Sequence, residues 1–102
     1  MINMSIRSLA KTAGLASGAD AVYLFGSRAT GRNRSDSDYD LALLLPDECD
    51  QWQATHDAQR SLWSRPVPID MVPITKKSWE DGSNAFIREV RETGKLLFSR
   101  DG

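Results

Sequence analysis

Near the start of the chain, apolar residues fall at Ile2, Ile6, Leu9 and Ala13, a spacing that gathers them on one side of a helix. This predicts a short amphipathic helix over residues 2–13, ended by Gly14, because glycine has no Cβ to oppose the left-handed turn of a helix end. The next apolar cluster has a different pattern. The run "AVYLF", Ala21 to Phe25, is uninterrupted, β-prone and too short for a typical helix, so it reads as a buried strand that stops at Gly26. A second run, "DLALLL", is closed by Pro46, which cannot donate to a sheet ladder, and reads as strand two.

Beyond Pro46 the pattern weakens. Asp47 is placed to cap a helix that continues to about Arg65, with Trp52, Gln59, Leu62 and Trp63 on one side and Pro66 ending it. "VPIDMVPI" carries apolar residues around Asp70, and its prolines restrict pairing, which predicts a short third strand at about Val67–Val72. Ser83 can cap a last helix whose Phe86, Ile87 and Val90 face the core, with Gly94 closing it before a small strand, "KLLF". The order helix, strand, glycine-rich turn, strand, helix, strand, helix predicts an α/β fold with helices packed on a small sheet. Strand direction does not follow from that order.

The length, 102 residues, suits one compact domain spanning residues 1–102. Thirteen basic and fourteen acidic residues leave a net charge of −1, so no overall field attracts nucleic acid or an anionic membrane, and any anion site must be local. Cys49 is the one cysteine, and neither a basic-then-apolar leader nor a long apolar span is visible. These features point to a reduced, cytoplasmic protein with no membrane role.

Candidate chemistry concentrates in "SDYDL". In a strand, side chains at i and i+2 share a face, so Asp38 and Asp40 project together while Tyr39 turns away. Two carboxylates that close repel each other unless a cation lies between them, and Mg²⁺ is the cation that takes a few carboxylates plus phosphate oxygens. Asp70 adds a third acid in an otherwise apolar strand, where burial is costly unless the group is paired or metal-bound. If strand three neighbours strand two, the three acids converge. A D-x-D at a strand start is more often a solvated turn, and Asp36 is assigned to that role.

Upstream, Gly26-Ser27 follows a buried strand and opens a helical turn whose amides can receive phosphate oxygens, although ordinary tight turns use the same residues. Arg28, Arg32 and Arg34 lie in the same loop and can offset a polyphosphate or simply balance the nearby aspartates. Ser35 and Ser37 suit turn hydrogen bonds. His56 and Cys49 have no partners for a zinc site or a Cys-His nucleophile, and Trp52, Trp63 and Trp79 read as core aromatics rather than base-stacking platforms.

The stretch Gly26-Ser27-Arg28-Ala29-Thr30-Gly31, followed after a short gap by Ser37-Asp38-Tyr39-Asp40-Leu41, resembles the signature of the polymerase-β-like nucleotidyltransferase superfamily, G-S-x-x-x-G then [ST]-D-x-D-[LI]. Since the chain is little more than that core, it looks like the minimal nucleotidyltransferase (MNT) family. The resemblance implies a palm-like α/β fold with a small mixed sheet, and transfer of a nucleoside monophosphate, commonly AMP from ATP, to an acceptor hydroxyl. Residue by residue, Gly26 and Ser27, with Arg28 beside them, match the triphosphate-binding turn, Asp38 and Asp40 the two metal ligands, and Asp70 the third acid, which would also help activate the acceptor. Two Mg²⁺ ions are implied. So is an antitoxin role beside a HEPN-type toxin, neutralised by attaching AMP to a tyrosine.

Larger relatives close over their substrates with a further helical domain, so a partner or an oligomer is expected to supply the missing wall here. Tyr39 stands where the family has an aliphatic residue, a change that touches packing rather than catalysis. Two other readings remain open. One is a non-catalytic module that neutralises its partner by occlusion; the other is nucleotidyl transfer to a small molecule or an RNA end.

Overall fold

The computed structural model describes residues 5–32, 34, 38–64 and 68–101. Its elements are α1 (Ile6–Ser17), β1 (Ala21–Phe25), α2 (Ser27–Thr30), β2 (Tyr39–Leu45), α3 (Gln51–Ser61), β3 (Ile69–Thr75), α4 (Lys76–Asp81), α5 (Ala85–Thr93) and β4 (Lys95–Ser99). The four strands form one sheet in the order β3-β2-β1-β4. β1 runs antiparallel to both β2 and β4, and β2 runs parallel to β3 through the α3 crossover. The sheet is therefore mixed, as in the polymerase-β-like palm.

Alternation along β2 divides the interior in two. Leu41, Leu43 and Leu45 join Val22, Leu24 and the buried positions of α1 and α3 in the larger core. Ala42 faces the other way, with Ile74, Ile87 and Val90, and there Tyr23 stacks on Trp79 and Phe25 meets Phe86 edge-on. One layer of helices, α1 and α3, covers one face; α4 and α5 cover part of the other.

Several expected boundaries shift, each for a local reason. The first helix does not end at Gly14; it continues to Ser17 and stops at Gly18, which adopts the left-handed φ of 75°. Gly14 is buried inside the helix, at a position where a Cβ would run into the Phe98 ring. Ile2, at the start of the expected helix, lies outside the described residues. The third helix is capped by Asp50, whose side chain accepts from the Gln53 amide, and not by Asp47. Asp47 instead accepts from the Lys77 amide at 2.9 Å and so ties the turn after β2 to the first turn of α4. Arg65, Pro66 and Val67 lie outside the described residues.

The inward side of α3 consists of Ala54 and Ala58, followed by Leu62, and it packs on α1 through that helix's own Ala10 and Ala13. Small residues let the two helices close on each other and leave no room for indoles. The expectation that Trp52 and Trp63 are core residues is thus overturned: they are 75% and 87% exposed. Only Trp79 packs inward, against Tyr23.

β3 runs through Pro73 to Thr75 instead of stopping at Val72. It is an edge strand paired on one side only, where a residue without an N–H can be accommodated. Asn84, not Ser83, caps α5, accepting from the amides of Phe86 and Ile87. β4 and the end of α5 before Gly94 match the sequence reading.

Candidate active site

The candidate acids are brought together by strand register. Phe25 lies opposite Asp40 in the antiparallel ladder, and Asp40 lies opposite Asp70 in the parallel one. Residues directly opposite share a face, so the three side chains form a row across three strands on the side of the sheet that α5 partly covers. Asp38 sits two positions before Asp40, just ahead of β2, and is exposed. Tyr39 packs toward the larger core on the opposite face, as the alternation requires.

Burial differs from the expectation for Asp70. Its side chain is exposed while Asp40 is half-buried, so Asp70 pays no large desolvation cost and its significance lies in its neighbour. The Asp40 carboxyl is pushed above its ordinary range, first by burial, then by the charge of Asp70, then by that of Asp38. Both acids are therefore electrostatically coupled to Asp40. Among the described residues, no three Asp, Glu, His or Cys side chains stand in an arrangement that would hold a metal ion as they are. The strands set the backbone, and the exposed Asp38 and Asp70 carboxylates keep rotamer freedom.

Beside this row the chain turns at Gly26, with φ 77° and ψ −157°, a combination open essentially to glycine alone. A Cβ at that position would lie 2.6 Å from Asp40 Oδ2. Glycine is thus what lets the turn and the carboxylate touch. The Gly26 carbonyl then accepts from the Ala29 and Thr30 amides at 3.0 and 3.2 Å, which winds α2 and starts it, at Ser27, at the end of the sheet where the acids lie.

The structure thus places a glycine-serine turn in contact with the second aspartate of the D-x-D segment, with a third aspartate in register on the next strand. The family model "Polymerase beta, Nucleotidyltransferase" matches residues 8–102. The chain belongs to that nucleotidyltransferase family. A solved protein of Sulfolobus solfataricus, provisionally assigned as a nucleotidyltransferase, overlays with a TM-score of 0.63 and 20% identity, over 93% of this chain and 81% of that one, and so shares its fold. A toxin-antitoxin solved with AMP-PNP overlays with a TM-score of 0.51 and 26% identity, over 78% of this chain and 60% of that one. A mutant of the toxin-antitoxin MntA-HpeT gives a TM-score of 0.48 and 23% identity, with the same coverage. No curated protein matches.

Around this nucleotidyltransferase core, the arginines take distinct positions. The Arg28 guanidinium lies 4.4 Å from the centroid of the Tyr39 ring, so the family's aliphatic position is used here to hold an arginine by a cation–π contact. The sequence reading gives Tyr39 a packing role only; an aromatic next to the acids and an arginine directly after the Gly-Ser turn are the signal of this contact. Phe25, opposite Asp40, was also missed, although it directly precedes Gly26. Arg32 and Arg34 are exposed, and Ser35, Asp36 and Ser37 lie outside the described residues.

Cys49 is half-buried against the larger core. The Cys49 thiol is pushed up by burial and by Asp50, Glu48 and Asp20, opposite to what a nucleophile needs. His56 is exposed and stacks on Trp52. Among the described residues no helix is long and apolar enough to cross a membrane.

Proposed function

We propose that this nucleotidyltransferase moves AMP from ATP to a protein hydroxyl in the presence of Mg²⁺, with a tyrosine of a HEPN-type toxin as the acceptor, and so acts as an antitoxin. The observation that carries the reading is the register of Asp40 with Asp70 beside Gly26. Support for the nucleotide and the partner comes from the 26% identical relative, a toxin-antitoxin with AMP-PNP. The acids suit a hard divalent cation: they are all-oxygen donors, and the Asp40 carboxyl is pushed up first by burial and then by the charges of Asp70 and Asp38, which such a cation would offset.

Asp38, Asp40 and Asp70 would hold up to two Mg²⁺ ions, which when bound neutralise charge on the attacking and leaving oxygens of an in-line displacement. The amides at the start of α2 and the Ser27 hydroxyl receive triphosphate oxygens, and Gly26 keeps the backbone close enough for that. Arg28, fixed over Tyr39, lends positive charge to the same end of the sheet. The acceptor oxygen attacks the α-phosphorus and forms a new P–O bond. The bond to the β-phosphate oxygen breaks, pyrophosphate leaves, and the acceptor proton passes to the Asp70 carboxylate. Exposure of Asp38 and Asp70 leaves that face open for a protein acceptor to complete the enclosure.

Incubation with labelled ATP, Mg²⁺ and a co-encoded toxin tests the reading. Label should move to the toxin and disappear with Asp38→Ala, Asp40→Ala or EDTA. Toxin neutralisation that survives both substitutions without any label transfer would replace catalysis with occlusion.

A further inference from the structure

The outer side of α3 is the most unusual surface of the molecule. Around a helix of 3.6 residues per turn, Trp52, His56 and Arg60 fall within about 80° of one another, opposite the buried Ala54 and Ala58, and Trp63 follows just past the helix end. Trp52 stacks on His56 with rings 5.7 Å apart and 3° from parallel, and a cavity of about 500 Å³ is lined by His56, Arg60 and Trp63. An indole offers roughly 150–250 Å² to burial, so exposures of 75% and 87% leave on the order of 250–400 Å² of aromatic surface in water. That matches the largest apolar patch of an ordinary monomer, which is often functional.

We propose that this face is a self-association surface on which a second copy of the chain packs with its α3 antiparallel. The surface is complementary to itself. The midpoint of Trp52 and Trp63 lies between Asp57 and Ala58, and a two-fold axis there sets Trp52 of one copy against Trp63 of the partner subunit, in the cavity beside its Arg60. The anchors are eleven residues apart, one in the first turn of α3 and one just past its end. The same axis brings Arg60 within one turn of Asp57 of the partner subunit, so two reciprocal ion pairs flank the aromatic contacts. Arg60 makes no ion pair among the described residues, while Asp57 holds only a Gln53 side-chain hydrogen bond at 2.9 Å.

Charge argues against nucleic acid as the occupant, because Asp50 and Asp57 line the same helix and the chain carries a net charge of −1. The indoles would supply a third to a half of the roughly 800 Å² that each side of a standard interface buries. α3 lies on the sheet face opposite Asp40 and Asp70, so pairing leaves both acidic sites open. The inference is independent of the catalytic reading: Asp40→Ala should leave association unchanged.

Sedimentation equilibrium from micromolar to near-millimolar protein provides the test, with circular dichroism melts to establish that each variant is folded. A monomer–dimer equilibrium is expected, weakened at least about tenfold by Trp52→Ala or Trp63→Ala, since buried tryptophans dominate such contacts. Arg60→Asp and Asp57→Arg should each weaken the dimer, and the two together should restore it. A monomer at every concentration, a dimer indifferent to the tryptophan changes, or a double charge swap no tighter than its single variants would overturn the proposal.

Discussion

Replacing Gly26 by alanine tests the contact on which the acidic site is built. The residue occupies φ 77° and ψ −157°, where a side chain costs about 1–3 kcal/mol. Its new Cβ would also stand 2.6 Å from Asp40 Oδ2, well inside contact distance, so the carboxylate must leave its rotamer at about 0.5–1.5 kcal/mol. Only the second part depends on Asp40. The expected loss is therefore about 1.5–4.5 kcal/mol in the native background and about 1–3 kcal/mol when Asp40 is already alanine. The difference, about 0.5–1.5 kcal/mol, is the coupling in a double-mutant cycle read from urea unfolding by far-ultraviolet circular dichroism. If Gly26→Ala costs the same in both backgrounds, the turn and the carboxylate do not touch in solution and the site geometry is wrong.

Further outcomes follow from other contacts. Asp40→Asn should stabilise the metal-free protein near neutral pH. The folded carboxyl is raised above its ordinary 3.8, so between those two values the native state binds more protons, and stability falls as pH rises through that window and stays lower above it; thermal melts across pH should show this fall in the native protein and lose it in the variant. Asp47→Ala removes the acceptor of the Lys77 amide and should cost about 0.5–2 kcal/mol, as lost caps do, with increased amide hydrogen exchange localised to α4. Gly14→Leu forces a side chain into the space of Phe98 and should destabilise by about 1–3 kcal/mol or more in urea unfolding, whereas Gly31→Ala, with nothing within 4 Å of its Cβ, should cost only the left-handed turn.

The strands that carry the site were legible because their signals are local. Ala21–Phe25 and the run to Leu45 are uninterrupted apolar segments bounded by Gly26 and Pro46, and they fold where that pattern places them. The spacing of Asp38 and Asp40 fixes their shared side by alternation alone. That Asp70 stands opposite Asp40 was not legible, because strand order and parallel direction are properties of the packed sheet and not of any segment. Helix ends were misplaced where two residues of the right type compete: Gly14 with Gly18, Asp47 with Asp50, Ser83 with Asn84. In the first two pairs tertiary contact decides, through Phe98 for Gly14 and through α4 for Asp47, while Ser83 donates locally to Asp81 and leaves the cap to Asn84. α4 itself was missed because six residues, KKSWED, are too few to show a periodic stripe. Trp52 and Trp63 depart from the sequence reading because hydrophobicity alone does not set burial: α3 packs through its alanines.

β2 threads leucines and an aspartate onto opposite sides of a single short ladder. Shifting it by one residue against β1 or β3 would drive Asp40 among the aliphatic side chains of α1 and α3 and turn Leu41, Leu43 and Leu45 out into water. An inserted or deleted residue within Tyr39–Leu45 would thus forfeit the interior and the chemistry in one event.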